Sequence, residues 1–372
     1  MIGVQLHPVD TWFFRSGVPF TADSAPQENI KSLFPPYPPT LVGALRAALA
    51  RGRGWKGREN WTREIRDMLG DGPNDLGQVS IDGPFLLRDG QPLFPVPRHL
   101  LGVTEEDGWH PKALLRPGEP VQCDLGDEVR LPVVGGSYSE VEKLKTGDDQ
   151  WLTAAGMTTT LRGGLPGKDE IVPSSRLWSW EARIGLERDT KKRTAKEGML
   201  YSTQHIRPAA GVSLGARVSG LSKDWKSPLG DLVPLGGEGR LAGLVTWDAN
   251  LGIDLLPGDV LRSGKVGVFA LSPLDVDHDV YVGKAPIEEL GGAHVVSACL
   301  DRPQRIGGWD SRPQSFGPLP IRSVLPPGSV LFCEMPDWER FEAMDLTGSG
   351  LVRIGSRTEW GFGLAVLGVW PN

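Results

Sequence analysis

Near the start of the chain Val4 and Leu6 alternate with Gln5 and His7, the period-two pattern of a strand with one covered face. A proline-rich stretch, Phe34-Pro35-Pro36-Tyr37-Pro38-Pro39, gives way to Leu41, Leu45, Ala48 and Leu49 at helical spacing, with Thr40 as the expected N-cap. A second short helix is expected around Trp61, Ile65, Met68 and Leu69, ended by Gly70. In mid-chain, Trp180, Ala182, Ile184 and Leu186 alternate with Glu181, Arg183, Gly185 and Glu187, which predicts a half-buried strand. A polar stretch over 188–198 follows, and Met199 to Ile206 reads as the returning strand. The result is a hairpin whose tip carries Lys191, Lys192, Arg193 and Lys196. The last quarter predicts strands over 295–300, 329–334 and 364–369 and a helix near 338–344. Strands and a few helices without regular alternation point to an α+β fold rather than a doubly wound one.

Composition sharpens this picture. A length of 372 residues suits two domains, expected as 1–170 and 171–372, and no fixed-period repeat stands out. The 49 glycines and 32 prolines fit short strands joined by shaped loops. No apolar run is long enough to span a membrane, and no signal-peptide pattern opens the chain. Cys123, Cys299 and Cys333 form neither a disulfide framework nor a zinc spacing, so the expected setting is a reducing cytoplasm.

The net charge of −6 gives no general attraction to nucleic acid, but the charge is unevenly spread. Nine basic residues face four acids between positions 175 and 217, and four arginines face Asp310 alone between 302 and 322. Two basic tracts in an acidic chain predict a local positive groove.

Phosphate-loop, dinucleotide, serine-hydrolase and zinc-protease motifs are missing from the sequence. Asp275, Asp277 and Asp279 would share one face of an extended chain, yet the glycine and outer ligand of a calcium loop are lacking, so a solvated acidic loop is expected and no metal or cofactor is called for. Among the histidines, His7 on the first strand and His205 beside the basic hairpin are the candidates for moving a proton near neutral pH. Glycines beside arginine recur in Leu235-Gly236-Gly237-Glu238-Gly239-Arg240 and Arg305-Ile306-Gly307-Gly308-Trp309-Asp310, and a glycine turn closes the chain at Gly355 to Gly363. Guanidinium for phosphate, an aromatic face for an unstacked base and glycine for close backbone approach are what single-stranded RNA recognition uses.

Several segments together resemble a known family. The run Leu6-His7-Pro8-Val9-Asp10-Thr11-Trp12-Phe13-Phe14-Arg15 with Gly17, Pro19 and Phe20 is similar to the N-terminal signature of the third subunit of the Cmr complex. That complex is the type III-B CRISPR effector, and the subunit belongs to the RAMP superfamily. Phe34-Pro35-Pro36 through Gly43-Ala44-Leu45-Arg46, Glu181 through Leu186 leading to Gly198-Met199-Leu200-Tyr201, Gly236 through Arg240, Gly307-Gly308-Trp309, Pro326-Pro327-Gly328-Ser329 and Trp360-Gly361-Phe362-Gly363 complete the set in order. The family's closing glycine loop often has a basic residue just before it, where this chain has Glu359 and Trp360.

The resemblance implies two ferredoxin-like (RRM-type) modules with long loop insertions. It implies a non-catalytic role holding the 5′ tag of CRISPR RNA, beside the large polymerase-palm subunit and the first backbone subunit. Sequence reading of a target would then be left to base pairing. Arg15, Arg46, Arg176, Arg183, Arg207, Arg240, Arg305 and Arg312 are the expected phosphate contacts, Trp309 the stacking residue, and Gly361 and Gly363 the points of close backbone approach. The competing expectations are a metal-free RAMP endoribonuclease acting on precursor CRISPR RNA through His7 or His205 with Lys192, and an adaptor with no RNA contact.

Overall fold

The computed structural model describes residues 1–15, 29–57, 59–123, 126–136, 141–188, 192, 195–225, 232–254, 263–310, 312, 315–335 and 351–371. It is a mixed α and β fold, rich in antiparallel strands with short helices between them. The chain divides into two compact units, each assembled from three segments. One comprises Met1–Gly90, Leu177–Ala249 and Arg305–Arg322; the other comprises Gln91–Arg176, Asn250–Gln304 and Ser323–Asn372. This partition differs from the single cut near 170 expected from the sequence. Turn-rich stretches mark where the chain changes direction but not which unit it returns to.

In the first unit, Ser80–Arg88, Val212–Ser219, Ile2–Pro8, Leu241–Trp247 and Leu232–Pro234 lie side by side in that order, every neighbour antiparallel. Counted along the chain, the order is second, third, first, fifth, fourth. Val4 and Leu6 of Ile2–Pro8 are fully buried, as their alternation predicts. Helix Pro38–Gly52 buries Leu41, Val42, Leu45 and Leu49. It begins ahead of the expected Thr40 cap: Tyr37 is the N-cap, with no side-chain bond, and proline fills the first turn, where its fixed φ suits a helix start. Helix Arg63–Leu69 is ended by Gly70 at φ +80°, as the sequence predicts; its cap, not among those expectations, is the Thr62 hydroxyl, which accepts from the Ile65 amide. Two further sheets complete the unit: Trp178–Arg188, Ala195–Pro208 and Asn29–Lys31 form one, and Gln304–Asp310 with Gly317–Val324 forms the other.

In the second unit, His294–Cys299, Val330–Glu334, Lys265–Ala270, Leu364–Gly368 and Leu351–Arg353 form an antiparallel sheet. Counted along the chain from Lys265–Ala270, the order is again second, third, first, fifth, fourth. The two units therefore repeat one strand order that no period in the sequence discloses. Val266, Val268, Leu331, Ala365 and Leu367 are buried in this sheet's core. The expected helix near 338–344 lies outside the described residues.

A buried polar constraint in the first sheet is a cross-strand pair. Arg217 stands opposite Asp82, and its Nη2 donates to Asp82 Oδ2 at 2.9 Å with both side chains buried. Removing one partner of a buried pair leaves the other charge uncompensated, at about 3–5 kcal/mol. Asp82→Ala is expected to lose stability on that scale in denaturant unfolding. Asp82→Ala with Arg217→Met, which removes both charges, is expected to recover much of the loss.

Candidate nucleic-acid interface

The strands Trp178–Arg188 and Ala195–Pro208 pair antiparallel with Ser179 opposite Arg207, Glu181 opposite His205 and Arg183 opposite Thr203. Directly opposed residues share a face, so Glu181, Arg183, His205 and Arg207 look the same way. The other face carries Trp180, Ala182 and Ile184. The sequence predicts that this apolar face is covered; it is the open one, with Trp180 50 % and Ile184 75 % exposed.

The covered, polar face meets the segment that follows Ile2–Pro8. Trp12 and Ile206 exchange backbone hydrogen bonds at 2.9 and 2.8 Å, which ties residues 11–13 to the returning strand. The turn 236–240 is tied to the same segment, because the Gly237 amide donates to the Phe13 carbonyl at 2.8 Å. Gly236 sits at φ +86°, and a Cβ there would stand 2.5 Å from that carbonyl oxygen, so only glycine fits so close an approach.

These ties gather three arginines on one carboxylate. Arg183 Nη2 and Arg240 Nη1 donate to Asp10 Oδ2 at 2.8 and 3.1 Å, and Arg207 Nη2 donates to Asp10 Oδ1 at 3.1 Å. Arg183 Nε also donates to Glu181 Oε1 at 2.8 Å, and Arg207 Nε donates to Glu181 Oε2. The Arg183 hydrogen bond, with Arg207 beside it, holds the Asp10 carboxyl down at about 2, and Arg207 lowers Glu181 in the same way. Arg183 and Arg207 are raised in turn, chiefly by Asp10 and Glu181 respectively. His205 is fully buried, stacks on Phe13 with ring centroids 4.9 Å apart, and lies 3.2 Å from Thr11 Oγ1 through Nδ1. Burial, with Arg240 and Arg183 nearby, pulls its pKa down against the opposing pull of Glu238 and Glu181. The imidazole is therefore neutral at pH 7 and shut away from solvent.

Two other expected arginines meet elsewhere in the first unit. Arg46 is buried, and its guanidinium donates to the carbonyls of Gly70, Gly72 and Asp75 at 3.0, 3.0 and 3.2 Å. Desolvation lowers its pKa to about 10, which leaves it cationic at neutral pH. Arg312 donates to the Asp71 carbonyl at 2.9 Å and clasps Asp310 through Nε and Nη2. Both are pins for the 70–75 loop, a structural use that arginine spacing alone does not distinguish from phosphate binding. Arg305 is exposed on the arm formed by Gln304–Asp310 and Gly317–Val324. Trp309 on that arm is 56 % exposed, its ring edge-on to Phe316 with centroids 5.3 Å apart. Arg15 is exposed at its bridge to Ser32.

In the second unit, Arg176 is exposed on the turn Ser174–Arg176. The closing glycine turn departs from expectation. Gly361 and Gly363 are buried at φ +83° and +73°; their amides donate to Thr358 and Pro273 carbonyls, and a Cβ on Gly363 would stand 2.1 Å from the Ile354 oxygen. Their freedom serves the chain's own close packing, and neither amide points outward. Asp275 of the acidic run accepts from Arg357 Nε at 2.8 Å. Glu105, Asp107 and His110 bring possible ligand atoms within 4.8 Å of one another, yet Lys112 already pairs with Glu105 and Lys168 with Asp107. Of the hairpin tip, Lys192 is exposed, whereas Lys191 and Arg193 lie outside the described residues, as do Gly17, Pro19 and Phe20.

The model of the CRISPR-associated protein family Cas_Cmr3 matches residues 4–370. The chain belongs to this family. Among solved structures, a chain of the type III-B Cmr-beta complex bound to cognate target RNA and AMPPnP is similar at 18 % identity, over 89 % of this chain and 86 % of that one, with a TM-score of 0.49. A chain of Cmr-beta bound to cognate target RNA is similar at 17 % identity, over 94 % and 96 %, with a TM-score of 0.49. A chain of the Csm3–Csm4 subcomplex of the type III-A interference complex is similar at 13 % identity, over 90 % and 94 %, with a TM-score of 0.35. No curated protein matches.

For this Cas_Cmr3 member, sequence reasoning selects Arg183, Arg207 and Arg240 but misses the acids that gather them. Asp10 stands inside the N-terminal signature and Glu181 two residues before Arg183, so both were in view as residues. Their role follows only from strand register. Among the described residues no helix is long and apolar enough to cross a membrane.

The lowered carboxyl of Asp10 sets a pH dependence. Its folded value lies below its ordinary 3.8, so the cluster's stabilising effect is complete above about pH 4 and is lost as pH falls toward 2. Asp10→Asn is expected to flatten the stability–pH curve in that window, read by denaturant unfolding at stepped pH; an unchanged slope would contradict the ion cluster.

Proposed function

We propose that the chain is a non-catalytic subunit of a type III-B RNA-guided effector complex in antiviral defence, binding the 5′ tag of CRISPR RNA and acting as a scaffold. Its neighbours in this proposal are the large polymerase-palm subunit and the first backbone subunit, in the cytoplasm. Family membership supports the CRISPR setting. The observation that carries RNA binding is the convergence of Arg183, Arg207 and Arg240, from two strands and a glycine turn, on one partly exposed carboxylate. Guanidinium forks so placed match phosphate oxygens. The exposed pair Trp309 and Arg305 adds a stacking face and a cation on the same unit, the combination used for single strands. Arg15 and Arg176 are further exposed candidates for the backbone. The full burial of His205 supports a binding role over a ribonuclease that uses it as a base.

The fold proposal is that each unit is a ferredoxin-like module with insertions. It is supported by the shared antiparallel order, in which the second, third, first and last strands are neighbours in both sheets. Such a sheet leaves its loops and inserted hairpins to carry the specific contacts.

Replacing Arg183, Arg207 and Arg240 together by glutamine in the assembled complex is expected to cut the co-purified guide RNA several-fold while the subunit still assembles. Trp309→Ala is expected to weaken tag binding by about tenfold, within the ~1–3 kcal/mol of one base stack. Guide content and affinity unchanged in both would overturn the RNA-binding proposal.

A further inference from the structure

The arginine cluster binds its own carboxylate in the place where a phosphate would go. Asp10 is 44 % exposed, so the face of the seat that it fills is open to solvent. Its two oxygens accept from three guanidiniums, much as two non-bridging oxygens of a phosphodiester would. Arg183 and Arg207 each have a second anchor in Glu181, so they stay in position without Asp10. Among the described residues Arg240 pairs with no acid but Asp10, and its buried Nε finds no hydrogen-bond partner. The charge count agrees: Asp10, Glu181 and nearby Glu238 match the three arginines, so an added phosphodiester would leave the cluster one charge too negative, while exchange for Asp10 keeps it neutral. Asp10 also lies on the bend after Ile2–Pro8 rather than within a strand, where its side chain can swing out without breaking a sheet.

We propose that the Arg183–Arg207–Arg240 seat takes one phosphodiester of single-stranded RNA in exchange for the Asp10 carboxylate, so that Asp10 sets the threshold for occupancy. This rests on the RNA-binding proposal above. In it, Asp10 keeps the seat formed and closed to weak anions, and only a strand held at additional points displaces it. Arg240, with no second acid, provides the discrimination between carboxylate and phosphate.

The test uses the full chain and a fluorescently labelled single-stranded oligoribonucleotide, read by anisotropy at fixed salt. Asp10→Asn, which removes the competing charge and keeps the side chain's size, is expected to tighten binding about tenfold. Glu181→Gln removes the same charge from the same cluster without opening the seat, and is expected to tighten binding by less than about threefold. Adding Arg240→Gln to Asp10→Asn is expected to abolish the gain. A second measurement needs no substitution: carbodiimide and glycinamide labelling of the native chain, mapped by peptide mass, is expected to modify Asp10 more when RNA is saturating, with Glu181 unchanged. Equal gains from Asp10→Asn and Glu181→Gln, or Asp10 labelling that stays level or falls with RNA, would overturn the exchange. If the native chain binds RNA and the triple glutamine variant weakens it, those results sink the exchange alone. If the triple variant binds as tightly as the native chain, the RNA-binding proposal and the exchange both fall.

Discussion

The arrangement of the candidate interface depends on two carboxylates, Asp10 and Glu181, which between them hold three guanidiniums. Two like charges about 4 Å apart repel by roughly 4 kcal/mol at an effective dielectric near 20, so a bare arginine triad would push its hairpin and turn apart. Asp10 and Glu181 reverse that sign for Arg183, Arg207 and Arg240. The backbone ties from Trp12 to Ile206 and from Phe13 to Gly237 bring the Asp10 carboxylate to the right place. Phe13 is buried and stacks on buried His205. A positive seat on an acidic chain is thus preassembled by the chain's own anions.

The same chemistry engages other arginines with the chain's own acceptors. Arg46 and Arg312 close the 70–75 loop, Arg217 is buried against Asp82, and Arg357 is held by Asp275 over the Phe362 ring. Which acceptors an arginine reaches comes from folding and not from its spacing in the sequence.

Much of the local structure is legible in the sequence. The alternation at Val4 and Leu6, the helical spacing from Leu41 to Leu49, and the Gly70 signal that ends the short helix all have direct physical counterparts. Period-two alternation states which residues share a face but not which face is covered, and so Trp180 and Ile184 are exposed while Glu181 and Arg183 are inside the cluster. Glycine marks an unusual backbone or a close approach without naming what approaches: at Gly236 it is Phe13, at Gly363 it is Ile354. The repeated strand order is invisible to any search for a fixed period, because the five strands that share it span about a hundred residues in the second unit and nearly 250 in the first. Long insertions stretch one copy and leave the pairing unchanged.

The central claim is that the seat around Asp10 lies against guide RNA in the assembled particle. Photocrosslinking with 4-thiouridine placed through the guide's 5′ tag, followed by peptide mapping, addresses it directly. Adducts are expected in the peptides that contain Arg183, Arg207 or Arg240. Adducts confined to other subunits, or to parts of this chain remote from those three residues, would contradict the account.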